Sequence, residues 1–126
     1  MHQKFILASS SKSRYKILKN AGLNFTQKKP NCNEEDIKQT INRNTKPEIF
    51  AKKLSYEKAR SVSIKKLYAN KIVLGCDTVI YHNGKILDKV NSIDKAKKKI
   101  KSLSGKEHLI ISVSYTHLTL PTMYTV

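Results

Sequence analysis

The sequence predicts an α/β fold in which a mixed β-sheet is flanked by helices. Short apolar runs typical of strands alternate with segments whose apolar residues recur at helical spacing. Asn83 and Gly84 separate two apolar runs, which is typical of a tight antiparallel hairpin. The chain has 126 residues, 39% of them hydrophobic, which fits one domain with a modest core.

The first half of the chain is predicted to hold two strands and two helices. Residues 4–7 form an apolar strand, and residues 11–22 follow with helical spacing that stops at Gly22. Residues 23–26 predict a second strand and residues 28–36 a polar loop. Thr45 as a cap and Pro47 in the first turn predict a helix start, and the apolar spacing extends that helix to about residue 68.

The second half contains the strongest strand signal. Residues 71–81 are apolar and β-branched but are interrupted by the Gly-Cys-Asp-Thr segment at 75–78, and residues 85–87 are predicted to pair back after the turn. Ile93 to Leu103 shows helical spacing, with Asn91 as its expected cap, and residues 109–113 predict a last strand. Residues 114–126 contain no lysine and no acid and resemble translated adapter sequence. We therefore expect a domain portion over residues 1–113 and a non-native tail over residues 114–126.

The charge balance is strongly basic. Lysine and arginine number 25 against 9 acids, a net charge of +16 that suits polyanionic partners, although lysines that solvate the surface are an alternative. No apolar run is long enough to span a membrane and no signal peptide is evident, so a cytoplasmic protein without a membrane partner is expected. Reduced thiols are expected for Cys32 and Cys76.

The segment LASSSKSR, residues 7–14, lies at a predicted strand-to-helix turn. Backbone N–H groups at a helix start, the hydroxyls of Ser9 to Ser11 and the guanidinium of Arg14 together favour a phosphate. A plain serine cap on a surface helix is the alternative.

Asp77 is the second candidate, because a carboxylate inside an apolar strand is costly to bury unless it is paired or holds a metal. It could bind a divalent ion or accept a proton from water, and a lysine that neutralises it is the alternative. Gly75 would let a ligand approach. Glu34 could add a hard oxygen ligand or lie in a solvated acidic loop, and Lys58 and Lys89 could neutralise phosphate.

Taken in order, these segments resemble the Maf family of nucleoside triphosphate pyrophosphatases, first described as septum-formation inhibitors. The resemblance rests on LASSSKSRYKILKNAGLNF, the loop that ends at Glu34, LSYEKARSV, VLGCDTVIYHNGKILDKV and LSGKEHLIISV. It implies a fold like that of the inosine triphosphate pyrophosphatases, here without its second half. It also implies hydrolysis of nucleoside triphosphates, including non-standard ones, to monophosphate and pyrophosphate, with Mg²⁺ or Mn²⁺, and often a homodimer.

The resemblance also implies roles for individual residues. The catalytic residues would be Asp77, Lys58 and Lys89; the substrate-binding residues Ser9, Ser11, Ser13, Arg14 and Thr78; and the metal ligands Glu34 and Asp77. Thr78 matches the dTTP/UTP type, whereas Ser13 replaces an arginine that helps set base choice in one subfamily. The two residues point different ways, so the base specificity stays open.

A non-catalytic, basic module that binds nucleotides or nucleic acid is the alternative function. Nucleic acid is the less favoured partner, because the strand signature of RNA-binding domains is missing. A regulator that acts through a division partner is a third reading, for which the sequence offers no partner motif.

Overall fold

Five strands and four helices make up the described part of the chain, residues 4–42, 44–65, 68, 70–87 and 92–118 of a computed structural model. In chain order they are β1 (Phe5–Ala8), α1 (Lys12–Asn20), β2 (Phe25–Lys28), α2 (Glu34–Thr40), α3 (Pro47–Ser63), β3 (Ile72–His82), β4 (Lys85–Leu87), α4 (Ile93–Leu103) and β5 (Leu109–Leu118).

The strands form one mixed sheet with β3 at its centre. β1 pairs in parallel with β2 and with the first part of β3, where Ala8 lies opposite Gly75. β4 pairs antiparallel with the end of β3, and β5 runs antiparallel along β3 from Ile72 to Tyr81. The predicted α/β class with a mixed sheet is confirmed.

The hairpin between β3 and β4 forms as predicted. Asn83 has a φ of 52° and Gly84 a φ of 76°. A two-residue hairpin turn of type I′ requires positive φ at both central positions, which asparagine and glycine tolerate best.

Helix α3 packs directly on the sheet and is the helix that contributes buried apolar residues to the core of the described chain. Its buried apolar residues include Ala59 and Val62, which pack against Val73 of β3 and Ile6 of β1. A Cβ on Gly75 would lie 2.2 Å from the carbonyl oxygen of Ser55 in α3. The group that approaches Gly75 is therefore the backbone of α3, and not a ligand as the sequence predicts.

Helix α2 was not predicted, because its first residues were assigned to a polar loop. The Asn33 side chain accepts hydrogen bonds from the backbone N–H groups of Glu35 and Asp36, and three acids occupy the first turn. Both features stabilise a helix start, the second through the helix dipole.

Helix boundaries differ from prediction at two other places. Helix α3 begins after Lys46 without a side-chain cap, so Thr45 is not its cap, and it ends at Ser63 and not near residue 68. Helix α4 is capped by Ser92, whose hydroxyl accepts from the backbone N–H of Lys95. The predicted cap Asn91 lies outside the described residues.

Two strands differ from prediction, β3 in its continuity and β5 in its length. β3 runs without interruption through Gly75 and Asp77, and β5 extends past Val113 to Leu118. The pairing with β3 thus includes residues 114–118, whose non-native origin stays a prediction.

Several large apolar side chains are exposed on α1, α4 and β5. They are Ile17, Ile93, Ile100, Leu109 and Ile110. No helix among the described residues is long and apolar enough to cross a bilayer.

Candidate active site

The candidate site lies where the carboxyl end of β1 meets the middle of β3. Ser9 follows β1 directly, and Asp77 lies two residues beyond Gly75, the residue that pairs with Ala8. Because β1 and β3 are parallel neighbours, the serine loop and Asp77 fall at the same edge of the sheet, which is where α/β proteins commonly bind ligands.

The serine loop is held in place by its own hydroxyls. Ser9 is buried, and its Oγ accepts a hydrogen bond of 3.1 Å from the backbone N–H of Ser11. The Oγ of Ser11 accepts from the backbone N–H of Arg14 at 3.2 Å and caps α1, while Gln27 donates to the Ser11 carbonyl oxygen at 3.1 Å. Ser11 therefore is a helix cap, and each hydroxyl keeps its hydrogen available to a ligand.

Lys58 joins two acidic side chains at the centre of the site. Its Nζ lies 3.0 Å from Oδ1 of Asp77 and 2.9 Å from Oε1 of Glu34. Asp77 is 2% exposed and Lys58 is 5% exposed. A lysine that neutralises the buried aspartate, one of the two possibilities raised by the sequence, is thus present.

The charge of Lys58 is secured by its partners. Burial by itself lowers the pKa of the ammonium, but the hydrogen bond to Glu34 and the charge of Asp77 outweigh it, so the pKa of Lys58 is raised above its ordinary value. At neutral pH the side chain is therefore a cation.

A second polar contact joins three elements. Nη2 of Arg14 in α1 donates to Oγ1 of Thr78 in β3 at 3.1 Å. The Thr78 hydroxyl is also 2.8 Å from Oγ of Ser112, its register partner in β5.

Two adjoining cavities open at this edge, and Ser11 and Arg14 line both. The smaller, about 350 Å³, is polar and is lined by Ser9, Ser10, Ser11, Arg14, Lys29, Pro30, Cys32, Glu34 and Lys58. The larger, about 570 Å³, lies between α1 and the sheet, and its lining includes Leu18, Leu74 and the Arg14, Thr78 and Ser112 side chains. The first suits a charged group, and the second suits a flatter, partly apolar one.

A divalent cation fits the carboxylates of this site only together with further ligands. Glu34 and Asp77 flank the same ammonium, and Oδ2 of Asp77 is buried without a hydrogen-bond partner in the described part of the chain. Among the described residues, no group of three His, Cys, Asp or Glu side chains is placed to hold a metal. Two carboxylates are typical of Mg²⁺ sites, in which the protein supplies one or two carboxylate ligands and water and phosphate supply the others.

Comparison with known protein families shows which family this chain belongs to. A family model described as Maf-like protein matches residues 4–122. The chain belongs to the Maf family.

Maf relatives with described activities match over most of this chain. It is 36% identical to a nucleoside triphosphate pyrophosphatase of Ruegeria pomeroyi, over 86% of the chain and 54% of the relative. It is 38% identical to a dTTP/UTP pyrophosphatase of Thermosipho melanesiensis (91% and 55%) and 36% identical to a 7-methyl-GTP pyrophosphatase of Bartonella henselae (85% and 52%). The chain spans about half the length of these relatives.

Most residues singled out by the Maf resemblance come together in the structure. Ser9, Ser11, Arg14, Glu34 and Lys58 line the smaller cavity. Asp77 contacts Lys58, and Thr78 and Ser13 line the larger cavity. Lys89 lies outside the described residues.

Sequence reasoning missed two further residues that line these cavities. Ser112 reaches Thr78 only through the register of β5 on β3, which no local pattern reveals. Cys32 lines the smaller cavity beside Glu34, and burial raises the pKa of its thiol. A raised pKa makes the reactive thiolate form of Cys32 less accessible.

Proposed function

We propose that the chain is the triphosphate-binding part of a nucleoside triphosphate pyrophosphatase. The reaction would hydrolyse the α–β phosphoanhydride of a standard or non-standard nucleotide and give the monophosphate and pyrophosphate. Membership of the Maf family and the pyrophosphatase activities of its relatives support this class of reaction. The observation that carries the proposal is the Glu34–Lys58–Asp77 cluster, which lies beside the serine loop.

The smaller cavity supplies what a triphosphate needs. Its cations are Arg14, Lys29 and Lys58, and the hydroxyls of Ser9 and Ser11 add neutral donors. Arg14 can grip two phosphate oxygens at once, and the N-terminus of α1 adds its dipole. Lys58 is held by its two acidic partners and Arg14 by Thr78 before the substrate arrives, which lowers the cost of reorganisation during reaction.

Asp77 is the proposed proton acceptor. Its Oδ1 is held by Lys58, whereas its buried Oδ2 has no partner among the described residues and can receive a proton. A water molecule would attack phosphorus, the P–O bond of the α–β bridge would break, and the proton of the water would pass to Oδ2. Lys58 would neutralise the phosphate charge that builds up as the bond breaks.

Glu34 and Asp77 would hold a divalent cation, Mg²⁺ or Mn²⁺. Such an ion would neutralise phosphate oxygens and polarise the scissile bond. The carboxylates of Glu34 and Asp77, which both contact Lys58, are the candidate protein ligands in the described part of the site. A role in nucleotide hydrolysis would place the protein with its substrates in the cytoplasm.

Pyrophosphate release tests the proposal. Because the relatives are about twice as long, residues 1–113 would be fused to the second half of the Thermosipho melanesiensis relative and assayed beside the chain itself. Each would receive a panel of nucleoside triphosphates with Mg²⁺ or Mn²⁺. We expect release by the fusion, a loss of at least about 100-fold in Asp77→Asn, and no loss in the matched control Asp94→Asn at the exposed start of α4.

The same variants distinguish the enzyme from the alternative function, a basic nucleic-acid-binding module. The net charge of +16 favours a basic module that binds nucleic acid without catalysis. Such a module would bind duplex DNA or RNA with a steep salt dependence, and Asp77→Asn would keep or gain affinity because a negative charge is removed. A folded fusion that releases no pyrophosphate but shows this behaviour would refute the enzyme.

A further inference from the structure

The larger cavity contains a series of three hydrogen-bonded side chains. It begins at Arg14, passes through Thr78 and ends at Ser112, with donor–acceptor distances of 3.1 and 2.8 Å. The three residues come from α1, β3 and β5, and all of them line the cavity. Thr78 and Ser112 are both exposed to it.

The guanidinium of Arg14 favours one direction of the series. Arginine can only donate, so Oγ1 of Thr78 accepts from Nη2. Either hydroxyl of the Thr78–Ser112 pair can donate at 2.8 Å, and the positive charge favours Thr78 as the donor because it turns the hydroxyl hydrogen of Thr78 away from Arg14. With Thr78 donating to Ser112, the hydrogen of Ser112 is left for a group inside the cavity.

We propose that Ser112 is a specificity-determining residue that donates a hydrogen bond to a carbonyl oxygen of the nucleotide base. This inference rests on the proposed function. The two cavities share Ser11 and Arg14, so a triphosphate in the smaller one directs its nucleoside toward the larger one. A donor there favours uracil, thymine, guanine and hypoxanthine over cytosine and adenine, which carry an amino group at the corresponding edge.

Thr78 and Arg14 act on the base through Ser112. If Thr78 lost its hydroxyl, Ser112 would lose the donor that orients it, and its hydrogen would no longer be directed into the cavity. The preference for a carbonyl therefore belongs to the ordered series of three groups and depends on the strand register that places Ser112 opposite Thr78.

Paired nucleotides that differ at one base position test the inference. kcat/KM would be measured for UTP against CTP and for ITP against ATP in the fusion and in Ser112→Ala, Ser112→Thr and the surface control Ser102→Ala. We expect the wild type to prefer UTP and ITP. Ser112→Ala should cut each preference about fivefold, the value of one hydrogen bond, through a higher KM for UTP and ITP. Ser112→Thr, which keeps the hydroxyl, and Ser102→Ala should retain the preference.

Several outcomes would overturn the inference. One is a preference for CTP and ATP in the wild type. Another is a ratio of kcat/KM between the paired nucleotides that Ser112→Ala leaves unchanged. A third is an equal loss of kcat/KM on all four nucleotides, which would indicate a structural role. If the wild type released no pyrophosphate from any nucleotide, the proposed function would fail, and equilibrium binding of the four nucleotides without metal would then test Ser112 alone. Equal binding of UTP and CTP, or none, would refute Ser112 as a determinant.

Discussion

Replacement of Lys58 by methionine isolates the contribution of the buried ammonium. Methionine has a similar length and favours a helix, so α3 and the packing of its stem are kept. The loss falls on Asp77, which is 2% exposed and whose Oδ2 already lacks a partner among the described residues. Without Lys58, Oδ1 of Asp77 loses its hydrogen-bond donor as well.

The expected loss is about 3–5 kcal/mol of unfolding free energy, typical when one partner of a buried ion pair is removed. Asp77 accounts for most of it, because Glu34 keeps 29% of its side chain exposed and can turn toward water. Lys53 provides a matched control on the same helix. It lies 3.4 Å from Glu57 and is half exposed, so Lys53→Met should cost only about 0.3–0.5 kcal/mol.

Urea denaturation of the fusion, monitored by circular dichroism, measures the loss of unfolding free energy in both variants. A double-mutant cycle with Asp77→Asn assigns the effect, since Lys58→Met should cost far less once the carboxylate is replaced by a neutral amide. The argument from the buried carboxylate would be wrong if Lys58→Met cost no more than Lys53→Met. It would also be wrong if Lys58→Met cost the same in the Asp77→Asn background as in the wild type.

Two further predictions follow from the same geometry. Because folding raises the pKa of Lys58, its stabilisation is fully present below the unfolded lysine pKa of about 10.4 and is lost as pH rises through the higher folded pKa. The stability difference between wild type and Lys58→Met should thus be constant from about pH 7 to 9 and shrink above about pH 10.5; a difference that shrank at neutral pH would contradict this. In Gly75→Ala the new Cβ would meet the Ser55 carbonyl at 2.2 Å, so α3 must move away from β3 and carry Lys58 from Asp77. We expect Gly75→Ala to lose about 3 kcal/mol or more of unfolding free energy, and to lose pyrophosphate release. The control Gly84→Ala has open space around its Cβ and should cost only about 1–2 kcal/mol, because of its positive φ. Equal losses of stability in melting experiments on the two variants would refute the steric argument.

Local signals in the sequence predicted most of the strands and the hairpin. The apolar run of β1, the β-branched run of β3 and the Asn83–Gly84 turn each carry their information within a few residues. Helix α2 has such a signal as well, in the Asn33 cap and the acids after it, but the polar composition of the segment is equally typical of a loop. The uninterrupted course of β3 could not be predicted locally, because Gly75 and Asp77 are tolerated there only through their contacts with α3.

The residue types of the candidate site were determined by the sequence itself. A serine loop before a helix and an aspartate within an apolar strand identified the phosphate and proton-acceptor candidates, and the family resemblance added roles for Glu34 and Lys58. Only the tertiary structure decided that Lys58 contacts both Glu34 and Asp77. It alone also decided that Thr78 is hydrogen-bonded to both Arg14 and Ser112. The reason is that these contacts arise from helix packing and strand register between distant segments, and periodicity within a segment does not encode which groups of another segment it will meet.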